Sequence, residues 1–217
     1  MFEKLYQRFL FASDSLKAKK MGHYMRNQFE FLGIPTPKRR VLTKAFLKSL
    51  TSANEIDWDF IQSCWDNPYR EFQYVAIDYL ATLRKQLTPN DINKLKKLAQ
   101  TKPWWDTIDG IDKLMGEIAF NFPEVKEILV SWSVDEDFWL RRIAIDHQLL
   151  RKETTDIDLL ERILQNNLNQ KEFFINKAIG WSLRDFSKTN PEWVRIFIEE
   201  NKAGLSALSI REASKYL

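Results

Sequence analysis

Cysteine occurs once in this 217-residue chain, at Cys64, and histidine twice, at His23 and His147. A single thiol excludes an internal disulfide and any cysteine-rich zinc site. Two histidines leave little material for a histidine metal cluster. Glycine is scarce, at six residues, and few segments alternate with period two, which argues against a sheet protein. No apolar run approaches the ~20 residues that a membrane-spanning helix needs. The first ten residues lack the basic flank and apolar stretch of a secretory signal. Phosphate loops, glycine-rich dinucleotide fingerprints and His-Glu-x-x-His runs are also missing. The expectation is a soluble cytoplasmic protein without a metal or cofactor.

What the chain does have is charge, unevenly placed. The formal net charge is +3, but residues 1–50 hold eleven Lys/Arg against three acids, leaving +8 there and −5 in the rest. Such asymmetry fits an end that faces a polyanion, and equally a solvated basic face.

Prolines mark where helices begin. Thr36-Pro37, Asn67-Pro68, Thr88-Pro89 and Asn190-Pro191 each put a capping side chain before proline. The capping oxygen takes a free backbone N–H, and proline at the first helical position sacrifices none. Between these marks apolar residues recur at three and four, as in Leu42, Ala45, Phe46, Ser49 and Leu50. The pattern predicts eleven to thirteen helices, an all-α fold and one continuous domain over 1–217.

The helices repeat. Ala76-Ile77, Gly110-Ile111, Ala144-Ile145 and Ala178-Ile179 follow one another at 34 residues, and Asp78, Asp112 and Asp146 follow the first three pairs. A small residue lets neighbouring helices approach, and this period predicts a solenoid of stacked helical hairpins with atypical ends. Counted from the small residue, Trp105 lies at −5, Asp109 at −1, Trp181 at +3 and Arg142 at −2. The first three fall within an arc of about 80°, with Arg142 about 60° outside it. Two indoles, a carboxylate and a guanidinium at the edge are thus expected on one concave face. Plainer roles stand beside this one. Trp104-Trp105 suits packing, Asp106 suits a helix dipole, and Trp181 suits a wall between helices. Arg142 could pair with Asp137 or Asp146. Cys64 reads as a small buried apolar residue, and His147 as a surface or satisfied histidine.

At these residues the chain resembles a known family, the bacterial alkylpurine DNA glycosylases of HEAT-like helical repeats, the AlkD type. The resemblance runs through Tyr24-Met-Arg-Asn-Gln-Phe-Glu-Phe-Leu-Gly-Ile-Pro-Thr-Pro37, Arg70-Glu-Phe-Gln73, Trp104-Trp-Asp-Thr-Ile-Asp109, Trp139-Leu-Arg-Arg-Ile-Ala144 and Lys171 to Arg184. It implies a right-handed curved solenoid. It places the catalytic aspartate on Asp109, the lesion-flanking tryptophans on Trp105 and Trp181, and the active-site arginine, expected to hold phosphate, on Arg142. It matches Tyr24 and Arg184 to DNA contacts, and the basic N-terminal residues, Lys38 and Arg39 among them, would hold phosphates. Asp112-Lys113 is more polar than the family pattern.

The family excises N3-alkylated adenine and N7-alkylated guanine from duplex DNA, without enclosing the lesion in a deep pocket. Such a base is already cationic and leaves without a general acid. One carboxylate suffices to stabilise the oxocarbenium-like sugar and orient water. The resemblance implies action on double-stranded DNA, and a solenoid with two terminal caps needs no protein partner, so a monomer is expected. Two other readings share the fold: a non-catalytic binder of bent or branched DNA, and a helical-repeat protein scaffold.

Overall fold

Helix-forming punctuation and a scarcity of glycine give a chain built of helices. The computed structural model describes residues 2–51 and 55–217, and among them are thirteen α-helices and no strand. No helix among them is long and apolar enough to cross a membrane. The chain divides into two compact units, Met1–Gln86 and Leu87–Leu217.

The first unit comprises α1 (Phe2–Phe11), α2 (Ser15–Tyr24), α3 (Thr36–Thr51), α4 (Trp58–Asp66) and α5 (Arg70–Thr82). Its core gathers Phe9, Phe60, Phe72 and Tyr79, all buried. The Arg70-Glu-Phe-Gln73 segment proves to be scaffolding. The buried Glu71 carboxylate accepts the backbone N–H groups of Leu32, Gly33 and Ile34 at 2.9–3.1 Å. The Gln73 amide donates to the carbonyls of Cys64, Trp65 and Asn67, closing the end of α4. Cys64 is fully buried, as expected, and burial pushes its thiol up.

Two local expectations shift. Asn67-Pro68 does not cap a helix. Asn67 Oδ1 instead accepts from Tyr69 N in a tight turn, and α5 starts at Arg70. In α3 the buried face is Arg39, Thr43, Leu47 and Leu50, while Ala45 and Ser49 are exposed.

The second unit comprises α6 (Ile92–Gln100), α7 (Trp105–Asn121), α8 (Lys126–Trp132), α9 (Phe138–Asp146), α10 (Ile157–Gln165), α11 (Phe173–Phe186), α12 (Pro191–Glu200) and α13 (Ala207–Ala213). Short 3-10 turns lead into α6 and α8. Asn190 caps α12 and Thr88 begins a capping box, as their Pro partners predict. α7, α9, α11 and α13 pack in succession, with α6 on α7, α8 on α9 and α12 on α11. The 34-residue period is visible in the bonds between layers. Arg142 reaches Asp109, Asn167 reaches Ser133, Lys177 reaches Glu212 and Ser209 reaches Asn176, each 33–35 residues apart. Ala144 and Ala178 are fully buried, as small residues in such an interface must be.

Candidate active site

The site grows from the first turns of α7, α9 and α11. Trp104, Phe138, Trp139, Phe173 and Phe174 form a connected aromatic wall there, with ring centroids 4.5–6.3 Å apart. Asp137 and Glu172 cap α9 and α11 through side-chain acceptors, which fixes where each helix starts. Those starts set the register of the polar residues one turn further in.

Asp109 and Arg142 meet between α7 and α9. Arg142 Nε and Nη2 both donate to Asp109 Oδ1, at 3.1 and 2.7 Å, and Nη1 donates to the Phe174 carbonyl at 2.9 Å. The arginine side chain is 1% exposed and the aspartate 24%. Burial pushes the Asp109 carboxyl above its ordinary value, opposed chiefly by Arg142. Trp181, half-buried on α11, lies over the same guanidinium at 5.3 Å. Lys177 and Arg184 also approach this ring, at 5.5 and 5.9 Å. Both are anchored by Glu212 of α13, at 2.9 and 2.8 Å. Three positive groups thus surround Trp181. The half-buried Trp105 opens α7 one turn before Asp109, on the same helical face.

Asp109, Trp181, Arg184 and Arg142 are therefore brought together. Arg142 stands beneath Asp109, buried and bonded through every nitrogen, rather than open to a phosphate. Its length spans the angular offset, and packing of α9 between α7 and α11 supplies both acceptors. Tyr24, Lys38 and Arg39 belong to the first unit. Tyr24 is 70% exposed and lines an open depression with Lys19, Lys20, His23 and Asn27. Lys38 is exposed and donates to the Ala12 carbonyl. Arg39 is buried against Tyr74 and paired with Asp78 at 3.0 Å, a core role in place of a phosphate contact. It lies on the inward face of α3, where a charge is tolerated only with a partner.

The residues to which sequence reasoning assigned no site role are Asp112, Lys177 and Glu212, whereas Asp146, one of the acids expected to pair with Arg142, lies 3.5 Å from its Nη2. Asp112 and Asp146 carried a signal, the aspartate recurring after the small-residue pair. One oxygen from each of Asp109, Asp112 and Asp146 lies within 4.8 Å of the others. Three such carboxylates suit a hard cation, but the Arg142 guanidinium already supplies positive charge among them. His147 is buried, its Nδ1 against the Ala144 carbonyl, and burial lowers it to about 3. It is a neutral structural histidine.

Comparison with known proteins places this geometry in context. A family model described as DNA alkylation repair enzyme matches residues 5–217. A solved structure described as a predicted DNA alkylation repair enzyme from Enterococcus faecalis is 37% identical, with a TM-score of 0.87, over 94% of this chain and 96% of that one. The structure of smu.31 from Streptococcus mutans UA159 shares the fold at 17% identity and a TM-score of 0.61, over 82% of this chain and 95% of that one. No curated protein matches.

Proposed function

The chain belongs to the DNA alkylation repair enzyme family, and from that premise we propose that it is a DNA glycosylase for cationic N3- and N7-alkylated purines in duplex DNA. The observation that carries this reading is one partly exposed carboxylate, Asp109, held through a single oxygen by a buried arginine. Oδ1 is fixed by Arg142, so Oδ2 can turn toward substrate. As the C1′–N bond breaks, positive charge develops on the deoxyribose. A carboxylate already oriented by a buried arginine stabilises that charge and aligns the attacking water. The alkylated base carries its own positive charge and needs no acid to leave.

Trp105 and Trp181 offer aromatic faces to the cationic lesion or its sugar, worth about 0.5–2 kcal/mol each. The cations around Trp181, with Arg184 foremost, provide charge for the flanking phosphate. Tyr24 and Lys38 contact the backbone from the first unit, and the whole of 1–217 acts as one DNA-binding domain, as a monomer. Asp109 and both tryptophans lie part-exposed, which supports a lesion held at the surface rather than in a deep pocket.

The test is release of 7-methylguanine from methylated duplex DNA under single turnover. Asp109→Asn should slow release by about 10²–10³-fold, the cost of losing one preorganised electrostatic group, while duplex affinity is retained. Equal release by the variant sinks the assignment of Asp109. Duplex binding with no release by the wild type favours the non-catalytic binder.

A further inference from the structure

Behind Asp109 lie two carboxyls that the reading above leaves without a task. Asp112 follows Asp109 by three residues on α7, and Asp146 ends α9, four residues after Arg142. Both are 2% exposed. Among the described residues neither oxygen of Asp146, nor Oδ1 of Asp112, has a hydrogen-bond partner. Arg142 Nη2 lies 3.5 Å from Asp146 Oδ2, against 2.7 Å from Asp109 Oδ1. A native protein rarely leaves two buried carboxylates so poorly bonded, and the charge count says why these are tolerated.

Three carboxyls share one buried guanidinium. The charged groups facing the pair are Asp109 and Lys113 from α7 and Arg142 from α9. Lys113 is exposed. From α11 the cluster receives only the Phe174 carbonyl and the Trp181 ring, both through Arg142. Lys177 and Arg184 of that helix are tied to Glu212. Glu117 of α7 and, after α9, the neutral His147 and Arg151 line a cavity of about 290 Å³ that Asp146 and Lys113 also border. Full ionisation would leave Asp112 and Asp146 as adjacent buried anions, with one cation already bonded elsewhere. Like charges this close cannot both persist without solvent. A single proton removes the repulsion and turns one oxygen into a donor for the other carboxyl.

We infer that Asp112 and Asp146 are positioning residues that hold one proton between them, and so leave Arg142 to Asp109 alone. Burial acts in the same direction, raising Asp146 to about 7 and Asp112 well above the usual carboxylate range. At higher pH the pair gives its proton to solvent through the cavity. Asp146 then gains full charge beside Nη2 and draws the guanidinium from Asp109. The kinetic consequence rests on the glycosylase reading; the shared proton does not.

The experiment pairs two readouts on the full chain. Carboxyl ¹³C resonances of labelled aspartate are followed with pH, and single-turnover release of 7-methylguanine is measured over the same range. Wild type should show an aspartate titrating near or above neutrality, and a release rate that falls severalfold on the alkaline side. Asp146→Asn should abolish the alkaline fall and leave Asp112 titrating at a lower pH than the wild-type pair, since the neighbouring charge is gone while burial remains, and Asp112→Asn, with its fold checked by circular dichroism, should move the fall to lower pH. Aspartates that all titrate below about pH 5, where ordinary carboxyls do, overturn the inference. So does an alkaline fall that survives in Asp146→Asn. A near-neutral titration with no base release from any of the three proteins keeps the proton pair and sinks the glycosylase reading.

Discussion

Arg142 does two things with one guanidinium. It fixes the orientation of Asp109 Oδ1 through two nitrogens, and it is the main influence holding that carboxyl down against burial. Arg142→Lys keeps a charge but cannot reach Asp109 and the Phe174 carbonyl in the same fork. Release should slow by about 10- to 100-fold, equivalent to about 1.5–3 kcal/mol for a charge-assisted bond. The pH dependence has a definite sign. On the glycosylase reading Asp109 acts ionised, so weakening its cation raises its pKa, and activity is lost at a higher pH as the solution is acidified. An acid limb that stays in place in Arg142→Lys would show that another group holds the carboxyl. Asp109 itself was legible in the chain, through its offset in the repeat and the Trp104-Trp-Asp-Thr-Ile-Asp109 segment. Its partnership with Arg142 was not. Helical offsets put the arginine outside the arc, and they take no account of a long side chain crossing to the next helix.

Elements pack closely where glycine allows it. Gly116 of α7 lies against the turn after α9, and a Cβ there would meet the His147 carbonyl oxygen at 2.2 Å. Alanine in place of a helical glycine ordinarily favours the helix by up to about 1 kcal/mol. Here the obstacle is backbone, which cannot step aside as a flexible side chain would. Gly116→Ala should therefore destabilise by about 1–3 kcal/mol, the usual cost of overpacking, read as a lower urea midpoint at unchanged slope. An unchanged or higher midpoint would mean that α7 and α9 have room to part. The stacking itself was readable, since Ala144 and Ala178 sit in register and a 34-residue period survives as bonds between layers. The faces were less so. In α3 the inward side carries Arg39 and Thr43, and a polar residue on a core face cannot be told from a surface one until its partner, Asp78, is placed. Asp112 was hidden for the same reason: the recurring aspartate was visible, and Asp146 was open as a partner of Arg142, but the burial of both depends on how α7 and α9 meet.

Across the whole molecule, the net positive charge and Asp109 fall in different units of the chain. Residues 1–86 carry fourteen Lys/Arg against nine acids, a balance of +5, whereas residues 87–217 carry nineteen against twenty-one, a balance of −2. A net acidic unit holds DNA poorly on its own, with Lys177 and Arg184 shared with Glu212, so on the glycosylase reading most of the affinity comes from the basic one. Lys19 and Lys20 beside Tyr24, and Lys44 on the exposed side of α3, are exposed charges available to supply it. Each lysine that neutralises a phosphate releases counterions and adds about 0.9 to the slope of log affinity against log salt. Replacing Lys19, Lys20 and Lys44 together with Gln should lower that slope by up to about 3 and weaken duplex binding at physiological salt. The loss should fall on binding rather than on the rate at saturating DNA, because none of the three lies in the unit that carries Asp109. An unchanged slope would mean that the basic unit does not face DNA. A fall in the saturated rate as well would mean that it also helps to set the geometry of the reacting nucleotide.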